Sequence, residues 1–120
     1  QKKADLHAAD KSGSTALMAA SFKGFEPIVR RLLKAGARID QQSKNGGTAL
    51  MFASLSGRTE VVKLLLKSGA NADRTDNSGR SARDYATLMG ASAGVLAEIQ
   101  RAEAERKAGG GDKGTYGPGA

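Results

Sequence analysis

Few residues of this chain could carry out acid–base, nucleophilic or metal chemistry. His7 is the single histidine among 120 residues and there is no cysteine, which leaves too few groups for most catalytic triads and for a zinc site. The aspartates that fall in polar segments, where this residue commonly caps turns, are Asp10, Asp40, Asp73 and Asp76. The run Gly109–Gly111 lacks the Lys-Ser/Thr pair that follows in a phosphate-binding loop. We therefore predict no enzyme activity, no cofactor and no metal.

The elements that carry these residues belong to an internal repeat. Segment 46–78 aligns with segment 13–45 after a shift of 33 residues, and 15 of the 33 positions are identical. A third and weaker copy begins at Gly79. A fixed period of this length indicates supersecondary units that cannot bury their apolar faces alone and must stack on their neighbours.

Each unit is expected to contain two short helices and a loop. In the middle unit, the apolar segment Ala49–Ala53 predicts a first helix, and Gly57 ends it. A second helix is predicted from about Thr59 to Ser68, and a polar, turn-forming loop extends from residue 70 to residue 78. Both helices are shorter than the roughly 12 residues that an isolated helix needs in water, so they require packing against the next unit.

The pattern G-x-T-A-L-M-x-A-x-x-x-G-x-x-E-V-V-x-L-L-L-x-x-G-A resembles the ankyrin repeat, over about residues 4–107. The resemblance implies an all-α solenoid of stacked helix-turn-helix units with projecting loops. The usual T-P-L-H of that family is T-A-L-M at Thr15–Met18 and at Thr48–Met51. We expect the two methionines to fill the place of histidine by packing, with weaker directional preference. The third unit departs further, with Ser81–Asp84 in that place.

The same alignment divides the chain. We expect the tail of a preceding repeat at 1–12, ankyrin repeats at 13–45 and 46–78, a C-terminal capping repeat at 79–107, and a disordered glycine-rich tail at 108–120. Because 1–12 lacks two helices, the first full repeat should have an uncovered apolar side, which suggests a longer array or another covering element. The residues expected to be buried on the second helices of the first and third units are Ile28, Val29, Leu32, Leu33, Val95, Leu96 and Ile99.

The chain is basic, with 19 lysines and arginines, 12 acidic residues and a net charge of +7. Basic residues on the second helices, which would form the convex back, are Arg30, Arg31, Lys34, Lys63 and Lys67. We interpret them as a solvated surface, with an acidic protein partner as the alternative. Nucleic-acid binding is not expected, because there are five aromatic residues and no tryptophan for base stacking. No apolar run approaches the roughly 20 residues that cross a bilayer, so no membrane insertion is expected. We expect a cytoplasmic monomer.

The family resemblance implies protein binding through the loop tips and the inner faces of the first helices. The corresponding loop residues are Lys11, Ser14, Lys44, Asn45, Asn77 and Arg80, and the helix residues are Phe22, Lys23, Leu55, Ser56, Leu88 and Met89. Phe22, Leu55 and Leu88 are spaced by 33 and should form an apolar row, either exposed as a contact core or folded inward. The function predicted is a non-catalytic protein-interaction scaffold. The alternative is a structural segment of a larger enzyme or membrane protein.

Overall fold

A computed structural model describes residues 8–88 and 93–105, and within these residues it contains six helices. They are α1 (Ala16–Lys23), α2 (Glu26–Lys34), α3 (Ala49–Leu55), α4 (Thr59–Lys67), α5 (Ala82–Leu88) and α6 (Ala93–Glu105). Extended pairing in the described part is limited to an isolated bridge between Ala9 and Thr15. The all-α prediction is confirmed. His7, Met89 and the tail from residue 108 lie outside the described residues.

The first helix of each of the first two units begins at a threonine that caps it. The Thr15 hydroxyl accepts a hydrogen bond from the Met18 backbone N–H at 3.4 Å, and Thr48 does the same for Met51 at 3.3 Å. The Thr15 N–H also donates to the Met18 sulfur at 3.4 Å, which completes a reciprocal cap. Both methionines are buried, as expected. The prediction was packing with weaker directional preference than histidine, and the Met18 sulfur in addition accepts this directional bond.

The third unit keeps the same kind of cap with different residues. The Ser81 N–H donates to the Asp84 carboxylate at 2.9 Å, and the Asp84 N–H lies 3.4 Å from the Ser81 hydroxyl. Serine followed three residues later by an acidic residue satisfies two free N–H groups at a helix start. The drift of this unit away from T-A-L-M therefore preserves the helix boundary.

The helices form two layers, with α1, α3 and α5 packed side by side in one layer and α2, α4 and α6 in the other. Val29, Val62 and Val95 occupy the same register of the three units, and each is 0% exposed. In the inner layer, Ala20 and Ala53 are buried and their small side chains permit close approach of α1 to α3. Among the described residues, no helix combines the length and apolar character required to cross a membrane.

The predicted buried stripe of the first unit is wrong at Ile28. This side chain is 47% exposed, whereas Val61, at the same register of the next unit, is 1% exposed. Helix α4 packs between α2 and α6, but α2 has a described outer-layer neighbour on one side only. The apolar residue on the open side of α2 therefore remains in solvent. Val95 and Ile99 of α6 are fully buried, as predicted, and Leu96 is half-buried.

Candidate functional site

The projecting loops before α1 and α5 are shaped by aspartates at equivalent positions. The Asp10 carboxylate accepts a hydrogen bond from the Ser14 N–H at 3.0 Å, and the Asp76 carboxylate accepts one from the Arg80 N–H, also at 3.0 Å. The backbone closes the same two turns, because the Asp10 N–H donates to the Ser14 carbonyl and the Asp76 N–H donates to the Arg80 carbonyl. These contacts confirm the expected turn caps at Asp10 and Asp76, whereas the Asp40 carboxylate accepts a hydrogen bond from the Asn71 N–H of the next unit at 2.9 Å.

Neighbouring loops are joined by hydrogen bonds between their tips. The Lys44 N–H donates to the Ser12 carbonyl at 3.0 Å, and the Asn77 N–H donates to the Asn45 carbonyl at 2.9 Å. The Asn77 side-chain amide also donates to the Lys44 carbonyl at 2.9 Å. The loop tips are therefore fixed relative to one another, and the Asn77 side chain contributes to that link.

Hydrogen bonding changes the acidity of both loop aspartates. Hydrogen bonds from the Ser12 side chain and from the backbone of Ser14 and Ser12 hold the pKa of Asp10 below its usual value. Partial burial opposes a shift of this kind at Asp76, but hydrogen bonds from Tyr85, Arg80 and Ser78 outweigh it and lower the pKa to about 2. Both loops therefore present ionised carboxylates beside the inner helices at neutral pH.

A cavity of about 330 Å³ lies between the first loop and the inner helices α1 and α3. Its lining consists of Asp10, Ser14, Met18, Ala19, Phe22, Lys23, Phe52 and Leu55. Four predicted partner-binding residues, Ser14, Phe22, Lys23 and Leu55, are thus brought to one site. The cavity lies where the small Ala19 occupies the register that holds Phe52 and Tyr85 in the other units.

The predicted apolar row is exposed at its two ends and half-buried in the middle. The exposed fractions of Phe22 and Leu88 are 45% and 57%, and Leu55 is half-buried. The Phe22 ring packs edge-on against Phe52, with the ring centroids 6.5 Å apart and the planes at 86°. The row is therefore supported from below by Phe52 and still open to solvent at Phe22.

A second cavity, of about 150 Å³, lies one unit further along the inner face. It is lined by Ser43, Asn45, Gly47, Met51, Phe52, Leu55, Asp76 and Tyr85. Phe52 and Leu55 line both cavities, so the two are neighbours, and we call them together the inner groove. Asn45 joins the four predicted residues there.

Other predicted residues lie outside the lining of these cavities or have structural contacts. Lys11, Lys44, Asn77 and Arg80 lie on exposed parts of the loops, and Leu88 is exposed on α5. The Ser56 hydroxyl donates to the Phe22 carbonyl at 2.8 Å, and the Arg58 side chain donates to the same carbonyl at 3.0 Å. Ser56 therefore links α1 to the next unit.

Sequence reasoning missed Ala19, Phe52 and Tyr85 as groove residues. They occupy one register of the 33-residue repeat, and each lies three positions before a member of the predicted apolar row. Residues three apart share a helix face. This spacing could have predicted that each member of the apolar row has a neighbour from this register beside it in the groove.

The sequence matches a model of a known protein family. The family model described as ankyrin repeats (3 copies) matches residues 2–76, which is more than half of the chain. The matched segment ends before Ser81–Asp84, where the third unit departs from the T-A-L-M pattern. A search of curated proteins found no match.

Proposed function

The chain belongs to the ankyrin-repeat family, and we propose that it binds a segment of a partner protein in the inner groove, without catalysis. Ankyrin repeats generally mediate protein–protein interaction. The observation that carries the proposal is the cavity of about 330 Å³ between Phe22 and Leu55. An apolar pocket of this size, rimmed by polar loop tips, suits a buried anchor side chain of a partner.

The rim of the inner groove contains both signs of charge. Asp10 and Lys23 line the cavity, and the exposed Lys11 and Lys44 lie on the loop tips beside it. Charged groups at the rim of an apolar site contribute more to orientation and specificity than to affinity. We therefore assign the anchoring to the apolar row and the choice of partner to the loops.

The proposal is tested with a double variant and a matched control. Phe22→Ser combined with Leu88→Ser removes two exposed apolar side chains of the row, while Phe25→Ser removes a phenylalanine of similar exposure, 48%, that does not line the inner groove. The immobilised chain and its variants are used to capture proteins from a cell extract. We expect the same proteins to be retained by the chain and by Phe25→Ser and lost with the double variant.

Thermal unfolding of all three proteins accompanies the capture. We expect the double variant to melt only several degrees lower, because both side chains are about half exposed and the ring contact of Phe22 with Phe52 is worth about 1 kcal/mol. Retention of the same proteins by the double variant would disprove binding through the row. A collapse of its melting temperature would show instead that the row belongs to the core.

A further inference from the structure

We propose that the convex back of the first two repeats is a second docking surface, and that it binds an acidic amphipathic helix of a partner protein. The surface is a cavity of about 460 Å³ between α2 and α4, on the opposite layer from the inner groove. Its walls contain four partly buried apolar residues, Leu33, Ala37, Ile39 and Leu64. We call it the outer groove.

One pair of basic residues, on α2, borders the outer groove, and α4 carries a second basic pair outside the lining. Arg30 and Lys34 line it directly, and Lys63 and Lys67 hold the same registers one unit later. Within each helix the pair is four residues apart, so its two side chains lie on one face. The described lining contains no carboxylate. The outer groove therefore combines an apolar floor with cations in a fixed arrangement.

Most of these cations have no acidic partner in the protein. Arg30 forms an ion pair with Glu26 one turn earlier, but both side chains are exposed, and such pairs contribute little. Lys34, Lys63 and Lys67 form no ion pair with any described residue. Lys34 and Lys67 lie in the last turns of their helices, where the helix dipole favours a cation. The helix dipole therefore gives a structural reason for a cation at Lys34 and at Lys67. It gives no reason for the apolar floor between the helices.

The apolar floor and the bordering cations together indicate which class of ligand fits the outer groove. An amphipathic helix can place leucine-like side chains on the floor and carboxylates against the bordering cations. A nucleic acid would leave the aliphatic floor unused, and no aromatic residue lines the cavity to stack on a base. A membrane surface would require apolar side chains that project outward, whereas these four lie partly buried. Each bordering helix has nine residues, so about two turns of a bound helix fit alongside.

The test is an NMR titration of the isotope-labelled full chain with a synthetic helical peptide of about 18 residues, with leucine on one face and glutamate on its flanks. We expect amide shifts at residues 33–39 and 64–68 and not at the inner groove. Replacement of the peptide glutamates by glutamine should weaken binding about tenfold, because two or more charge contacts are lost. The same peptide composition with leucine distributed around the helix should not bind.

Variants of the chain provide the second arm. Arg30→Gln combined with Lys34→Gln should weaken the peptide about tenfold. The matched control, Arg74→Gln combined with Arg101→Gln, removes two exposed arginines outside the cavity lining and should bind as before. Both double variants alter exposed side chains, so their melting temperatures should stay close to that of the parent chain.

Three results would overturn the assignment. The first is absence of shifts at the outer groove, or equal affinity for the glutamate and glutamine peptides. The second is tighter binding of a short DNA duplex, lost in the Arg30/Lys34 variant, which would assign the surface to nucleic acid. The third is tighter binding of vesicles made of phosphatidylcholine and phosphatidylserine than of the peptide, lost in the Arg30/Lys34 variant. This result would assign the surface to an anionic membrane. None of these results bears on the inner groove.

Discussion

At the scale of single residues, the contact between Asp76 and Tyr85 connects a loop to an inner helix. The Tyr85 hydroxyl donates to one carboxylate oxygen of Asp76, and the other oxygen accepts from Ser78 and Arg80. The same contact raises the pKa of Tyr85, because the neighbouring carboxylate stabilises the protonated phenol, and partial burial adds to the effect. Asp76 thus fixes the loop turn and its position on α5 together.

This contact predicts an acid-dependent loss of stability. The pKa of Asp76 is about 2 in the folded chain against an ordinary value of 3.8, so folding favours the ionised form. Its contribution is present above about pH 4 and is lost as the pH falls to about 2. We expect Asp76→Asn to lower the free energy of unfolding by about 1–2 kcal/mol at pH 7, after allowance for solvent screening, and by almost nothing at pH 2. Urea unfolding at a series of pH values measures the difference.

Tyr85→Phe is the companion variant, because it removes one of the hydrogen bonds to Asp76 and leaves the turn intact. It should show a smaller loss at pH 7 and the same convergence near pH 2. A loss in Asp76→Asn that is constant from pH 2 to pH 7 would show that the carboxylate charge makes no contribution to folding.

At the scale of elements, the loop glycines show how closely successive repeats approach. Gly46 and Gly79 hold the same turn position with similar left-handed φ values of +85° and +82°. A Cβ at Gly46 would lie 2.8 Å from the Asn77 backbone nitrogen, whereas at Gly79 no described atom lies within 4 Å. The two positions therefore share the conformational requirement for glycine and differ in the contact between loops.

Alanine at the two positions separates these effects. Both Gly46→Ala and Gly79→Ala carry the cost of a left-handed conformation, about 1–2 kcal/mol. Gly46→Ala should lose about 1 kcal/mol more, because the loop must move and the hydrogen bond between the Asn77 N–H and the Asn45 carbonyl breaks. The comparison is the free energy of unfolding in urea. Equal losses of unfolding free energy in the two variants would mean that the contact between neighbouring loops does not contribute to stability.

The 33-residue register predicted the helix pairs, the glycine that ends the first helix and the buried valines, because each depends on residues within one unit or on an identical neighbour. It failed at Ile28, because register alone does not say whether a unit has neighbours on both sides. It also missed the cavity beside Phe22, which depends on Ala19 being smaller than Phe52 at the same position. The Thr15–Met18 sulfur contact was missed because it depends on a rotamer.

At the scale of the whole molecule, the two layers present different chemistry. The inner layer and the loops combine an apolar row with carboxylates held in their ionised form. The outer layer is basic on α2 and α4, whereas α6 has three glutamates and one arginine in the described range. Among the described outer helices, the excess of positive charge therefore lies on α2 and α4. The two grooves differ in both position and charge, which would permit two partners to bind at once.

The stacked arrangement also predicts how instability should spread along the molecule. Val29, Val62 and Val95 are chemically identical, equally buried and equivalent in register. Replacement of any one by alanine should cost about 2 kcal/mol through lost contacts and a small cavity. Val62 lies on α4, which packs against both α2 and α6, while the other two helices have one described outer-layer neighbour each. In a stack coupled by nearest-neighbour interfaces, the central defect should weaken every unit.

Hydrogen exchange resolved along the chain measures this spread. Val62→Ala should raise exchange rates in all six helices together, because the end units cannot remain folded without the middle one. Val29→Ala should act chiefly on α1 and α2, and Val95→Ala chiefly on α5 and α6, because the remaining pair of units still shares an interface. Faster exchange confined to α3 and α4 in Val62→Ala would show that the end units fold independently, and the stack would then be a row of separate domains.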